Sequence, residues 1–226
     1  MSRSPLLRAY FRHRYAALFY TMVVVLGVGP LLAALGFDRN WTRLFLELNL
    51  FLAVFGFPAT RASAALRIVL ALAVTARVLA FAVEGHTIAV ATRPIVITVA
   101  FVAALGSLRF ALRSKRVDAE HVYAALDAYI LIGIFAGLLH HLIEETWPGS
   151  YVSSGALIPD FSFTTAIYFS FVTLATLGYG DIVPQSEVAR GVTVVEAIVG
   201  QLYLAVLIAR LVSNAARPVA DGETTS

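Results

Sequence analysis

The sequence predicts an all-α membrane protein with six transmembrane helices per chain and one re-entrant helix followed by a loop. Three observations support this fold class: the composition, six apolar stretches, and one uncharged segment rich in Thr and Gly. Of 226 residues, 59% are hydrophobic and 14% are charged, and the mean hydropathy is +0.82. Because soluble domains carry about 25% charged residues, this composition excludes a soluble enzyme and predicts a multi-pass protein in a lipid bilayer.

The charge and the cysteine count exclude two further classes. The net charge of +3 is small and the basic residues are scattered, so no nucleic-acid partner is expected. The sequence contains no Cys, which excludes disulfides and thiolate metal sites.

Six apolar stretches are the candidate spans. The first follows an Arg-rich segment and is too long for the apolar region of a cleaved signal peptide, so we expect it to be retained. The second is short for a bilayer crossing and contains Glu47 and Asn49. In chain order, the predicted spans are 15–37, 44–57, 62–83, 88–112, 122–143 and 187–212.

The distribution of Arg and Lys predicts that both termini are cytoplasmic in the plasma membrane. With six spans, the basic N-terminus, the cluster at 109–116 and Arg217 fall on one side. Omitting the short second span would move that cluster to the outside, which favours retaining the span. The opposite side receives fewer basic residues together with Glu144, Glu145, Asp160 and Asp181.

Residues 161–180 have the length of a seventh span, and none of them is charged. The segment is rich in Thr, however, and it ends in Gly178 and Gly180, and Gly is a poor helix former. We predict a half-length helix at 163–175 with Ser162 as its N-cap, followed by an extended strand. Irregular backbone at membrane depth is tolerated only where protein buries it or where it lines a water-filled path, so the segment is interpreted as a re-entrant loop.

The end of this segment carries the residue types that a dehydrated K⁺ ion requires. Rings of backbone carbonyls can replace the hydration shell of the ion. For successive carbonyls to face one axis, alternate residues must adopt positive φ, which Gly does without steric cost. Gly178 and Gly180 have this spacing, and Thr176 would add a hydroxyl at the inner end. Leu177 and Tyr179 would direct their side chains away from the axis and into the protein.

The run Thr173-Leu-Ala-Thr176-Leu177-Gly178-Tyr179-Gly180-Asp181, with Pro184 behind it, resembles the signature of potassium channels. The resemblance is strong over 121–213, whereas residues 1–120 match only in the layout of the spans. It implies a homotetramer with K⁺ as the permeant ion and no cofactor. The implied K⁺ ligands and filter residues are Thr176, Leu177, Gly178, Tyr179 and Gly180. The implied filter support is Asp181 tied to Tyr168, with Thr173 beside them, and Gly200 occupies the place of the gating hinge.

Three residues depart from the commonest pattern of this family. Ala175 stands where Thr is frequent, and Leu177 stands where Val or Ile is usual. Both contribute chiefly backbone or packing, so selectivity is expected to survive. Val172 stands where some bacterial relatives carry a buried Glu, which removes one source of filter strain.

The predicted organisation has four parts, in which the first four spans resemble a voltage sensor by position alone. A sensor needs Arg at every third residue, whereas the fourth span has Arg93, Arg109 and Arg113. We therefore expect weak or no voltage dependence, and we expect buried charges such as Glu47 and Arg77 to pair with each other. The parts are a cytoplasmic segment 1–14, a four-span bundle 15–116, a pore domain 121–213 and a cytoplasmic tail 214–226.

Two groups of ionisable residues leave alternatives open. Glu196 in the last span either faces the cavity and concentrates cations or bonds a neighbouring helix. His140 and His141 each precede a Glu by one helical turn, which permits a divalent-ion site or a pH sensor. We favour a polar outer turret for this cluster.

The favoured function is a potassium-selective channel, and two alternatives remain. The first is a weakly selective monovalent cation channel, which Tyr179 disfavours. The second is a membrane-embedded metal-dependent enzyme with His140 and Glu144 as ligands, although a third ligand and the usual catalytic motifs are missing from the sequence.

Overall fold

The computed structural model describes residues 13–36, 40–55, 92–113 and 118–215, together with the isolated positions 65, 68, 71, 72 and 75. In chain order, the elements are α1 (Arg14–Ala34), α2 (Asn40–Phe55), α3 (Arg93–Arg113), α4 (Ala119–Thr146), β1 (Tyr151–Ser153), β2 (Ala156–Leu157), α5 (Phe163–Leu174), β3 (Val183–Pro184) and α6 (Glu187–Ala215). The protein is therefore mostly helical.

Four of these helices, α1, α3, α4 and α6, are long and apolar enough to cross a membrane. The apolar part of α2 is shorter, and the predicted third span at 62–83 lies outside the described residues apart from the isolated positions. The coarse prediction of an all-α multi-pass membrane protein is confirmed. The predicted fourth span starts at residue 88, whereas the helix α3 in the described residues begins at Arg93. Helices α4 and α6 each extend about one turn beyond their predicted bounds.

The long helices α1 and α3 both pack against α4. Antiparallel α3 and α4 bring Phe101 against Phe135 with ring centroids 5.2 Å apart. Near the other end of this pair, Phe110 stacks on His121 at 4.7 Å. The start of α1 reaches α4 through the backbone N–H of Tyr15, which donates to the carboxylate of Glu120 over 3.1 Å.

A partly buried polar contact joins α1 to α2. The Thr21 hydroxyl donates to the amide oxygen of Asn49 over 2.6 Å, so the polar residue that made this span doubtful in the sequence has a partner. Side chains from five helices then form one apolar core, which includes Met22, Leu50, Val99, Leu131 and Ile167.

The short helix α5 lies directly against α4 because two glycines of α4 leave room for it. A Cβ at Gly133 would lie 2.6 Å from Phe171 Cε1, and a Cβ at Gly137 would lie 2.6 Å from Ile167 Cδ1. Small residues at helix interfaces allow backbones to approach closely in membranes. The two glycines therefore fix how deeply α5 sits against α4.

A small antiparallel sheet, which the sequence did not predict, joins the segments on either side of α5. Strand β1 pairs with β2 through Val152 and Leu157, and with β3 through Tyr151 and Pro184. Since β1 and β2 precede α5 and β3 precedes α6, the sheet anchors both ends of the segment formed by α5 and the loop after it.

Candidate functional site

The candidate site begins with α5, whose ends are set by local contacts. The Ser162 side chain accepts a hydrogen bond from the backbone N–H of Thr165, which is the predicted N-cap. The helix runs for 12 residues, about 18 Å, which is too short to cross the roughly 30 Å hydrocarbon core. At its end, the Ala175 N–H donates to the Phe171 carbonyl. The expected helix at 163–175 therefore ends one residue earlier, at Leu174.

The loop after α5 is irregular, which corrects the prediction of an extended strand. Thr176, Gly178 and Gly180 adopt positive φ of 56°, 55° and 77°, so every second residue lies in the left-handed region. A strand cannot form through such an alternation because β residues require negative φ. Positive φ was expected at the two glycines, but Thr176 adopts it as well, which no residue preference of Thr predicts.

Hydrogen bonds hold the start of this loop in its conformation. The Thr176 N–H donates to the Thr173 carbonyl over 2.9 Å, which is the contact that Thr173 contributes. The Leu177 N–H donates to the Val172 carbonyl over 2.9 Å. From the last helix, Gln201 Nε2 donates to the Thr176 hydroxyl over 3.3 Å. These bonds offset the cost of about 1–2 kcal/mol that a non-glycine residue incurs in the left-handed region.

The end of the loop is tied back to α5 by one side-chain contact. The Tyr168 hydroxyl donates to Asp181 Oδ2 over 2.8 Å, so the two residues expected to meet are in contact. Leu177 and Tyr179 are 55% and 65% exposed in the single chain. They were expected to point into the protein, but their own chain does not cover them.

Glu196 points toward α4 and α5. The sequence left open whether it faces the cavity or bonds a neighbouring helix, and the structure shows the bond to neighbouring helices. The carboxylate is buried, and it lies 2.7 Å from His140 of α4 and 2.5 Å from Ser170 of α5. It does not face a cavity beneath the loop. The reason is geometric, because the helical turn that places Gly200 against Leu174 directs Glu196 toward α4 and α5.

The polar turret expected at His140 and His141 is wrong for His140, which is fully buried. His141 lies 3.3 Å from Glu145, which also pairs with Arg93 of α3. Glu144 accepts hydrogen bonds from the backbone N–H groups of Gly149 and Tyr151. Within the described residues, no group of three or more His, Cys, Asp or Glu side chains could hold a metal ion.

Comparison with known proteins shows what the C-terminal region is similar to. Residues 128–217 match the family described as "Ion channel". The chain is 36% identical over 106 residues to the inward rectifier potassium channel Kirbac3.1 of Paramagnetospirillum magnetotacticum, covering 46% of this chain and 36% of that protein. It is 40% identical over 85 residues to the voltage-gated potassium channel Kch of Escherichia coli (strain K12), covering 38% of this chain and 20% of that protein.

A plant relative gives the same result. The chain is 32% identical over 95 residues to the two pore potassium channel c of Oryza sativa subsp. japonica, covering 41% of this chain and 18% of that protein. The chain thus spans well under half the length of these relatives, and no solved structure matches it. Through its C-terminal region, which contains the loop, the chain is similar to ion channels, and the relatives that it matches there are potassium channels.

Proposed function

We propose that this protein is a potassium-selective channel that conducts K⁺ passively through a pore surrounded by four copies of the chain. The observation that carries the proposal is the alternate left-handed backbone at Thr176, Gly178 and Gly180. Repeated in four loops, this backbone would supply rings of carbonyl oxygens of the kind that replace the hydration shell of K⁺. Thr176, Leu177, Gly178 and Tyr179 would coordinate the ion, with Gly180 completing the filter.

The surface of the single chain supports a fourfold assembly. Residues 175–181 are all exposed, and only 11% of the most apolar part of α6 is buried. One loop provides one quarter of each carbonyl ring, and a closed cyclic oligomer completes the ring while covering the exposed faces. We therefore propose a homotetramer in the lipid bilayer.

The proposed organisation follows from the same interpretation. Segment 15–116 forms a peripheral four-span bundle and 121–213 forms the pore domain, with α5 as a re-entrant pore helix. Six spans place the segments 1–14 and 214–226 on the cytoplasmic side of the plasma membrane. Arg109 and Arg113, at the end of α3, would then anchor that helix at the cytoplasmic surface.

Flux measurements in liposomes test the proposed function. The purified chain, reconstituted with a K⁺ gradient, should conduct K⁺, and its reversal potential should follow K⁺ when Na⁺ is the competing ion. Its mass in mild detergent should equal four chains.

Two outcomes would contradict this function. A reversal potential that follows Na⁺ as readily as K⁺ would favour the weakly selective monovalent cation channel. Full conduction by a stable dimer would exclude the fourfold ring.

A further inference from the structure

Four buried side chains form a continuous polar network where β1, α4, α5 and α6 meet. The Tyr151 hydroxyl lies 2.6 Å from His140 Nδ1, and His140 Nε2 lies 2.7 Å from Glu196 Oε2. Ser170 Oγ lies 2.5 Å from Glu196 Oε1 and 2.7 Å from the carbonyl oxygen of Gly133. The network therefore joins β1, α4, α6 and α5 and returns to α4.

This network is sealed from solvent. His140, Tyr151 and Ser170 are 0% exposed, and Glu196 is 5% exposed. The ring of Phe169 packs edge-on against both His140 and Tyr151, which closes the site with apolar surface. In such surroundings each polar hydrogen needs an acceptor in the protein, because a buried donor without a partner has lost its hydrogen bonds to water and gains none in return.

The direction of the first hydrogen bonds in the network follows from the protonation of Tyr151. Burial raises the pKa of its phenol, so the phenol keeps its proton. The hydroxyl donates to His140 Nδ1, and neutral His140 then carries its own proton on Nε2 and donates to Glu196 Oε2. A doubly protonated His140 would donate at both nitrogens and would leave the Tyr151 proton without an acceptor among the described residues.

The second part of this series of hydrogen bonds depends on Ser170. Its hydroxyl has one proton but two close oxygen neighbours. If Glu196 were ionised, the Ser170 proton could point either to Glu196 Oε1 or to the Gly133 carbonyl oxygen. Ser170 Oγ and the oxygen that is not chosen would then have no proton between them. Separations of 2.5 and 2.7 Å are those of O–H···O hydrogen bonds, so an oxygen pair without a proton would repel at this distance. A second proton resolves the conflict.

We propose that Glu196 is a buried proton-binding site, protonated on Oε1, which donates to Ser170 while Ser170 donates to the Gly133 carbonyl. Four hydrogen bonds then run in one direction from Tyr151 to Gly133, and each proton has one acceptor. Glu196 acts as a positioning residue, because the completed chain fixes α5 relative to α4 and α6. The protonation of Glu196 does not depend on ion conduction, whereas its consequence for the filter rests on the proposed function.

Infrared difference spectroscopy tests the protonation directly. At neutral pH, the wild-type protein should show a carboxylic-acid carbonyl stretch that Glu196→Gln removes. The buried carboxyl groups of Glu47 and Asp127 are present in both proteins, so their absorption cancels in the difference spectrum. Glu187→Gln is the matched control on the same helix, since the Glu187 side chain is 91% exposed, and it should remove no such band. Spectra of the wild type and Glu196→Gln that do not differ in this band would overturn the proposal.

A second variant keeps Glu196 and removes its acceptor. In Ser170→Ala the carboxylic-acid band should shift to the position of a more weakly hydrogen-bonded acid, because Ser170 accepts the Glu196 proton. An unchanged band would overturn the donor assignment. This measurement remains available if Glu196→Gln does not fold.

Flux through the reconstituted protein tests the positioning role. Glu196→Gln supplies an N–H toward Ser170 and a carbonyl toward His140, so it should retain K⁺ flux and thermal stability close to the wild type. Glu196→Leu cannot make either bond and should lose most of both. A folded Glu196→Gln protein that loses flux as completely as Glu196→Leu would show that the ionised form is required. An infrared band without K⁺ flux in the wild type would contradict the proposed function and leave the protonation of Glu196 standing.

Discussion

Gly200 of α6 packs against the end of α5 at Leu174, where a Cβ added to the glycine would lie 2.5 Å from the Leu174 carbonyl oxygen. The same Cβ would lie 2.9 Å from Leu174 Cδ1. Backbone atoms cannot move aside as a flexible side chain can, so any larger residue must displace α5 or α6. Gly200 was predicted as a gating hinge, and that role stays a prediction. The structure gives the residue a second reason to be glycine, namely the close approach of two helices just before the loop that follows α5.

The first prediction concerns this contact. Gly200→Ala should lower the free energy of unfolding by about 1–3 kcal/mol, as is typical of overpacked sites. The measurement is the thermal unfolding of the purified protein. Gly191→Ala, on the same helix with no atom within 4 Å of the added Cβ, is the matched control and should be neutral or slightly stabilising. Equal effects of the two substitutions would contradict the packing argument.

The second prediction concerns the backbone of the filter loop. Gly178→Ala should abolish K⁺ conduction or its selectivity over Na⁺. The added Cβ meets no atom within 4 Å in the single chain, so the effect comes from the φ of +55°. Left-handed backbone costs a non-glycine residue about 1–2 kcal/mol, and the four chains of the proposed ring would each incur it.

Reversal potentials in mixed K⁺ and Na⁺ measure this effect. Gly27→Ala, at a helical glycine with open space around it, should leave the reversal potential unchanged. Wild-type selectivity in Gly178→Ala would argue against carbonyl coordination by this loop.

The third prediction concerns the contact between α5 and the C-terminal end of the loop. Tyr168→Phe removes the hydroxyl that donates to Asp181, and Asp181→Asn weakens the acceptor. Each change should shorten the open lifetime of single channels while the ion preference stays unchanged, because the carbonyl ligands are not altered. The double variant should be no worse than the more severe single variant, since both changes act on the same bond. Strictly additive effects would show that the two residues act independently.

The fourth prediction is a shallow conductance–voltage relation. Steep gating needs roughly 3–4 charges per subunit crossing the field, each worth about 2.3 kcal/mol per 100 mV. In α3, Arg93 lies at the first residue and pairs with Glu145, while Arg113 lies at the last residue. No charged residue lies between 94 and 108 in this helix.

Recordings in symmetric K⁺ should therefore be close to ohmic, and Arg93→Gln should not change the slope. A steep sigmoid that flattens in Arg93→Gln would mean that this helix does move charge through the field.

The two ends of α5 could be predicted because their signals lie within about one helical turn of the chain. The beginning of α5 follows from Ser162 and the N–H of Thr165, and its end follows from the glycines that come after it. The contact of Tyr168 with Asp181 could be anticipated because the helix–loop pattern of the family places them together. The strand pairing of Tyr151 with Pro184 could not be anticipated, because both strands are too short to show an alternating pattern.

The sequence by itself determined the membrane class, the long apolar helices and the glycine positions of the loop, because composition, hydropathy and backbone preference are local properties. Only the tertiary structure decided the environments of Glu196 and His140. The two residues are 56 positions apart, and each would serve equally well on an exposed helix face. Burial removed water as a partner for both side chains, and their hydrogen bonds could then be met only by each other, Tyr151 and Ser170. The positive φ of Thr176 was decided in the same way, by contacts from Thr173 and Gln201 that no local preference of Thr would produce.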